Sequence, residues 1–370
     1  MKTQAAVMRQ SPGLWETVEV DLDEPRQDEV LVKVVASGLC HSDAHLMVGD
    51  MLSGTYPICG GHEGAGVIEQ VGPNTSGFQV GDHVVFSFIP GCGRCRWCAA
   101  GMQNLCDYGS RILEGDRITE HGSFRMQLDG KPVAQMGGIS TFSQYTTAST
   151  LSTVKVPKEI PLDKACLVGC GVATGWGSAV VAGPVRPGDT VIVMGIGGVG
   201  INAVQGAAHA GASHVIAVDP VEFKRDKAKE FGATESYASM EEATEVARSY
   251  TNGQGADIAI VTVGVTTGEH VAQAHTAIRK AGTVVVTGGG PTVGIPIPVV
   301  ELAMMQKRLQ GALYGMLSPS ADILKLLRLY QEGSLKLDEL VTRTYTLDQV
   351  NEGFADMLAG RNLRGVIVFD

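Results

Sequence analysis

Between residues 190 and 219 the chain spells out strand, glycine turn, helix and strand, an order that few folds accept. A β-branched apolar run at 190–194 ends in Gly195-Ile196-Gly197-Gly198-Val199-Gly200. A small-residue stretch with helical character follows at 199–210, and a second apolar run at 214–218 closes on Asp219. Glycines at this spacing permit a tight turn, a close approach to the backbone and close contact between helix and strand. A charged amphipathic helix at 222–231 and apolar runs at 256–261 and 283–287 continue the alternation. The pattern predicts an α/β domain built on a doubly wound parallel sheet.

The first 90 positions have another rhythm. Short apolar runs at 30–36 and 66–71, with turns at Gly72-Pro73 and Gly81-Asp82, predict a β-rich, barrel-like domain. A chain of 370 residues is long enough for two such cores. Its tail is mixed, with Leu and Ile at helical spacing over 321–331 and a closing strand at 365–369.

Cys92, Cys95, Cys98 and Cys106 follow C-x2-C-x2-C-x7-C in a lobe, 91–106, too poor in large apolar residues to hold itself together. Four thiolates this close can surround one tetrahedral metal ion, and spacing alone leaves zinc and an iron–sulfur cluster both open. The opening MKTQAAVMRQSPG lacks the apolar core of a signal segment, and no run of about 18 apolar residues occurs. A cytoplasmic protein without a membrane partner is expected, where eight cysteines favour metal over disulfides. The net charge of −10 argues against nucleic acid as a partner. Elsewhere Cys40, His62-Glu63 and Cys170 offer two thiolates and an imidazole, which leave a fourth position open on a zinc ion. Spacing does not choose Cys170 over Cys166; Cys59 and Cys166 read as core residues.

The glycine turn at a helix N-terminus suits a diphosphate, whose charge meets outward-pointing N–H groups. Asp219, about 20 residues further on, makes this a dinucleotide fingerprint. A carboxylate there accepts hydrogen bonds from ribose hydroxyls and repels a 2′-phosphate, which selects NAD over NADP. Lys224 and Arg225 lie just beyond and pull the other way, as cations within reach of a phosphate.

Cys40-His41-Ser42-Asp43, Gly60-Gly61-His62-Glu63-Gly64-Ala65-Gly66, the four-cysteine lobe and Gly169-Cys170-Gly171 with Thr174-Gly175 resemble the zinc-containing medium-chain alcohol dehydrogenases. The likeness runs almost end to end. Phe88-Ile89-Pro90 and Asp219-Pro220-Val221-Glu222-Phe223-Lys224 are similar to the actinobacterial nitrosodimethylaniline-dependent (NDMA-dependent) members. The resemblance implies a GroES-like catalytic domain at 1–171, a Rossmann NAD-binding domain at 172–313 and a return to the catalytic domain at 314–370. It implies two zinc ions per chain. One is catalytic, on Cys40, His62 and Cys170, with Glu63 entering transiently; the other is structural, on Cys92, Cys95, Cys98 and Cys106. Asp43 would orient the histidine ligand, and a proton would leave the alcohol through Ser42, the nicotinamide ribose and His45.

Cofactor contacts would come from His41, Thr174, Gly195, Gly197, Gly198, Val199, Gly200, Asp219, Lys224 and, at the pyrophosphate, Arg364. At His41 many relatives carry Arg. Phe88 and Met136 would line a pocket roomy enough for medium or bulky primary alcohols. The implied reaction interconverts an alcohol and its aldehyde or ketone by hydride transfer to NAD, firmly held in the NDMA-dependent group. The implied assembly is a homodimer through 296–314, or a tetramer. Two other readings share these residues. A thiol-adduct formaldehyde dehydrogenase would need a cation such as Arg111 or Arg117 in the pocket, and a non-catalytic zinc-binding relative would have lost ligands that this chain keeps.

Overall fold

The computed structural model describes residues 1–370 apart from Leu52 and Pro291. The chain forms two compact units, Met1–Cys170 with Ser318–Asp370, and Gly171–Leu317. The second crossing falls a few residues beyond the expected 313. The tight turn at Leu313–Met316 packs on the helix Gly171–Gly177 so closely that a Cβ on Gly177 would lie 2.4 Å from the Gly315 carbonyl oxygen.

The first unit is β-rich. Lys2–Met8, Glu16–Leu22, Met126–Leu128, Lys131–Gln135 and Ile58–Cys59 close a barrel. A seven-stranded sheet is centred on the long strand Glu29–Gly38, which pairs with Gly64–Val71, Tyr145–Ser149 and the closing strand Arg364–Val368. Val30, Val32, Ile68, Val84 and Phe86 form one of its buried clusters. The helix Pro319–Gln331 belongs to this unit.

The second unit carries a six-stranded parallel sheet: β1 (Thr190–Met194), β2 (His214–Val218), β3 (Glu235–Tyr237), β4 (Ala256–Val261), β5 (Ile278–Val286) and β6 (Arg308–Gly311). The order is β3-β2-β1-β4-β5-β6, the doubly wound order whose direction reverses beside β1. All five residues of β1 are buried, as a strand covered on both faces requires. Its helices are α1 (Gly200–His209), α2 (Glu222–Glu230), α3 (Met240–Tyr250), α4 (Gly268–Ala277) and α5 (Val299–Met304). The expected strand at 283–287 begins earlier, at Ile278, because its register against β4 shifts around a turn at Ala281, φ 57°. All eight cysteines are free. Among the described residues no single helix is long and apolar enough to cross a membrane.

Candidate active site

Cys40 sits at the N-cap of the helix His41–Val48, which carries Ser42, Asp43 and His45. Gly61, at φ 85°, turns the chain into His62 and Glu63, and Cys170 follows the short turn Cys166–Gly169. One ligand atom from each of Cys40, His62, Glu63 and Cys170 lies within 4.8 Å of the others, all four residues being buried. Cys166 and Cys59 stay outside this group, buried, and burial pushes the Cys59 thiol up to about 12. The choice between Cys170 and Cys166, which spacing leaves open, is thus made by the fold.

Asp43 ties the set together. Its Oδ1 accepts from the Gly61 backbone N–H at 2.8 Å, and its Oδ2 lies 3.1 Å from His62 Nδ1. His62 Nε2 is buried with no hydrogen-bond partner among the described residues, as a ligand atom aimed at a metal would be. Burial lowers the His62 pKa, but the charges of Asp43 and Cys40 outweigh it and hold it well above the usual value. The sulfurs of Cys40 and Cys170 lie close together, and their proximity drives the Cys40 pKa well below its usual value and that of Cys170 well above. Two sulfurs and an imidazole nitrogen around a common point are the donor set of a metal site, from which metal binding would displace protons. Burial pushes Glu63 up to about 7 despite the cation beside it.

That cation is Arg364. Arg364 is buried, with Nη2 donating to Glu63 Oε2 at 2.6 Å and to the Leu39 carbonyl at 3.2 Å. A carboxylate this deep needs a paired charge, and Arg364 supplies it. Met136 belongs to the core cluster with Trp15, Phe142 and Phe354, and the next residue, Gly137, has φ 63° and lies beside His62 and Phe88. A Cβ there would lie 3.0 Å from Phe88 Cβ and 3.4 Å from His62 Cβ. Phe88 stands edge-on to the His62 ring at 5.5 Å.

Ser42 Oγ lies 3.8 Å from Cys40 Sγ. His45 is 9% exposed, and its Nδ1 lies 3.3 Å from Asp50 Oδ2, a partner no sequence motif signals. Its ring centroid is 6.4 Å from that of His41. Arg117 is buried in ion pairs with Glu29 and Asp23, and Arg111 pairs with Asp116. Each of the two candidate cations for a thiol-adduct substrate therefore has a carboxylate partner within the protein.

The lobe cysteines also converge, with their four sulfurs within 4.8 Å of one another. Cys95 N–H donates to Cys92 Sγ at 3.3 Å and Cys98 N–H to Cys95 Sγ at 3.4 Å. Backbone N–H groups of Cys98 and Asp107 lower the Cys95 pKa to about 6. Burial raises Cys98 to about 12. Backbone donors aimed at sulfur make a cage for thiolates, as a structural metal requires.

In the second unit, β1 runs into the glycine turn and α1. A Cβ on Gly200 would lie 1.8 Å from the Gly195 carbonyl oxygen, while one on Gly197 would meet nothing within 4 Å. The first glycine closes the turn, and the second leaves bare backbone for a ligand to approach. Asp219 Oδ2 accepts from Ile196 N–H at 2.8 Å and Oδ1 from Val221 N–H at 2.9 Å, which fixes the carboxylate beside the turn. Lys224 Nζ is 3.9 Å from Asp219, whereas Arg225 is folded onto the Asp219 and Pro220 carbonyls at 2.9 Å each. Thr174 is buried in the helix Gly171–Gly177.

Two family models match this chain: the alcohol dehydrogenase GroES-like domain over residues 26–158 and the zinc-binding dehydrogenase domain over 198–332. The chain is 52% identical to the NDMA-dependent alcohol dehydrogenase of Amycolatopsis methanolica, over 100% of this chain and 99% of that one. It belongs to the zinc-containing medium-chain alcohol dehydrogenases. Its likeness to the NDMA-dependent group extends over the whole length. A putative alcohol dehydrogenase D of Mycobacterium tuberculosis is 50% identical, with both chains fully covered. Among solved structures, benzyl alcohol dehydrogenase from Acinetobacter calcoaceticus superposes with a TM-score of 0.92 at 31% identity, again over both full chains. This alcohol dehydrogenase therefore interconverts small-molecule alcohols and their carbonyl partners, using zinc and a nicotinamide cofactor.

Proposed function

We propose that this enzyme binds two zinc ions per chain, uses NAD in preference to NADP, and acts on medium or bulky primary alcohols. The observation that carries the reading is the buried set of Cys40, His62 and Cys170 with His62 Nε2 unpartnered. Zinc held there would supply a Lewis acid that makes a bound alcohol easier to deprotonate, and the nicotinamide would take the hydride. The remaining work falls to side chains. Asp43 fixes the His62 ring, Ser42 Oγ takes the alcohol proton, and His45 passes it outward with Asp50 beside its Nδ1. Phe88 and Gly137 shape the wall against which the alcohol lies. The four lobe cysteines hold the second ion and do no chemistry.

Preference for NAD rests on Asp219, which is held in place by Ile196 and Val221, and on Arg225 being turned onto carbonyls. Homodimerisation rests on β6, which ends the sheet, and on Val299, Val300 and Met304 of α5, which are all more than 60% exposed. Eight free cysteines fit a reducing cytoplasm. Firm retention of NAD(H) follows the NDMA-dependent relative by analogy. The deciding experiment combines zinc quantification with a panel of alcohols assayed with NAD+, with NADP+ and with a nitroso-dye acceptor. Two zinc ions per chain are expected, with turnover of benzyl-sized alcohols on NAD when the nitroso-dye acceptor is present to reoxidise retained NADH. One zinc per chain, or a preference for NADP+ or for ethanol, would sink the corresponding part.

A further inference from the structure

The start of α1 contains an irregularity that the glycine fingerprint does not account for. In its first turn Ile201 N–H donates to the Gly197 carbonyl, while Asn202 and Ala203 N–H both donate to that of Val199, at 3.0–3.1 Å. The Gly198 carbonyl between them takes its hydrogen bond from the Asn202 side chain, Nδ2 to oxygen at 2.8 Å. Asn202 is 0% exposed, on a helix otherwise made largely of small apolar residues. Gln205, one turn along and 5% exposed, donates from Nε2 to Asn202 Oδ1 at 3.0 Å. An asparagine amide can sit either way round; the Gly198 carbonyl, which can only accept, makes the NH2 face Gly198 and leaves the oxygen to accept from Gln205. Two buried amides are costly unless they orient something.

We infer that Asn202, set by Gln205, is a positioning residue for the cofactor's diphosphate. The peptide unit is planar and trans, so the Gly198 carbonyl and the Val199 N–H point in opposite directions. Pinning the carbonyl against Asn202 turns the Val199 N–H out of the helix start. The N–H groups of Gly197, Gly198, Val199 and Gly200 meet no acceptor among the described residues, so the pinned peptide presents a donor to the diphosphate alongside its neighbours. The close packing of Gly175, whose added Cβ would lie 2.8 Å from Asn202 Cβ, keeps the amide from swinging away. Asn202 itself touches no cofactor atom in this account. It acts through the Gly198–Val199 peptide, and the inference rests on the nicotinamide site proposed above.

The test compares Asn202→Ala, Asn202→Ser and Gln205→Leu in the zinc-replete enzyme. NADH affinity is read by fluorescence titration, kcat at saturating NAD+, and Tm by calorimetry. Serine at this place can still donate to the carbonyl four residues back, whereas alanine cannot. Asn202→Ala is expected to bind NADH about tenfold more weakly, the effect of one hydrogen bond near 1.4 kcal/mol. Its kcat at saturating NAD+ should stay within about twofold of wild type, because the loss falls on binding. Asn202→Ser should recover most of the affinity, and Gln205→Leu should fall between the two. If Asn202→Ala does not fold, the serine and leucine variants carry the same comparison, with the leucine variant the weaker binder. Wild-type affinity in Asn202→Ala or in Gln205→Leu, or an equal loss in Asn202→Ser, overturns the inference. A wild-type enzyme that binds neither NADH nor NADPH overturns the cofactor reading itself.

Discussion

Arg364 Nη2 donates to Glu63 Oε2 at 2.6 Å, and neither side chain reaches solvent. The pair joins the closing strand to the loop that carries His62, so the last residues of the chain back the metal set from behind. Such a pair adds little net stability while intact, yet losing one partner strands the other in a medium that cannot solvate it. Arg364→Leu should therefore cost about 3–5 kcal/mol in urea unfolding, and adding Glu63→Gln should return a large part of it. A double variant no more stable than Arg364→Leu would show that Arg364 works through other contacts.

A second buried network sits behind Gly137. Glu29 accepts from Arg125 Nε at 2.8 Å and pairs with Arg117, while Arg125 Nη1 reaches Gln135 at 3.1 Å and the Gly138 carbonyl at 3.4 Å. Burial pushes the Glu29 carboxyl up, but Arg125 and Arg117 more than reverse it and leave it below its usual 4.5. A depressed carboxylate contributes stability that is complete above the unfolded value and lost as pH falls through the folded one. Stability should thus drop at pH below 4.5, and Glu29→Gln should flatten that acid limb. At neutral pH the variant should be about 3–5 kcal/mol less stable, since the buried Arg125 guanidinium loses its counter-charge and Arg117 keeps only Asp23. An unchanged acid limb in Tm against pH would rule Glu29 out as its source.

The zinc lobe is coupled to a helix far away in sequence. Gln103 Oε1, inside the lobe, accepts from Ser320 Oγ at 2.8 Å and Ser320 N–H at 3.2 Å, and Ser318 Oγ donates to the Gly101 carbonyl at 2.8 Å. The N-terminus of the helix Pro319–Gln331 is thereby capped by the lobe. Cys106→Ser should remove one of the two proposed zinc ions and lower Tm, and hydrogen exchange should quicken in both the lobe and the first turn of that helix. Turnover per zinc remaining should persist. Exchange confined to the lobe would show that the cap does not transmit the loss.

How much of this was legible beforehand depends on how local each signal was. The parallel sheet, the glycine turn and the four-cysteine lobe were readable because each is written in consecutive residues, and β2 and β4 fall where the apolar runs place them. The set of Cys40, His62 and Cys170 spans 130 positions, so only motif resemblance could propose it and only the fold brings it together. The partners of Arg364 and Met136 were not legible, because which way a side chain faces depends on neighbours distant in sequence: Glu63 for the first, and Trp15 with Phe354 for the second. Asp50, Asn202 and Glu29 gave no motif at all, since an ordinary polar residue shows its partner only after folding.

Gly137 gives the sharpest test of substrate choice. Its φ of 63° is one that a side chain adopts only with strain, and the new methyl would press on Phe88 Cβ at 3.0 Å and His62 Cβ at 3.4 Å. The left-handed conformation alone costs about 1–2 kcal/mol for a residue with a Cβ. Arg125 and Gln135 pin the loop from behind through the Gly138 and Ile139 carbonyls, so it cannot retreat and the front must yield. Phe88 would then move into the space for the alcohol's side chain. Gly137→Ala should therefore lower kcat/KM for benzyl-sized alcohols by about tenfold or more, the effect of 1.4 kcal/mol or above, and spare ethanol. Zinc content should stay at the wild-type value, which separates a narrowed pocket from a damaged metal set. An equal loss for ethanol and benzyl alcohol would instead place the effect on His62, and Phe88→Ala in the same background distinguishes the two. If the wall has moved inward, removing the phenyl ring restores the bulky substrate; if the histidine has shifted, it does not.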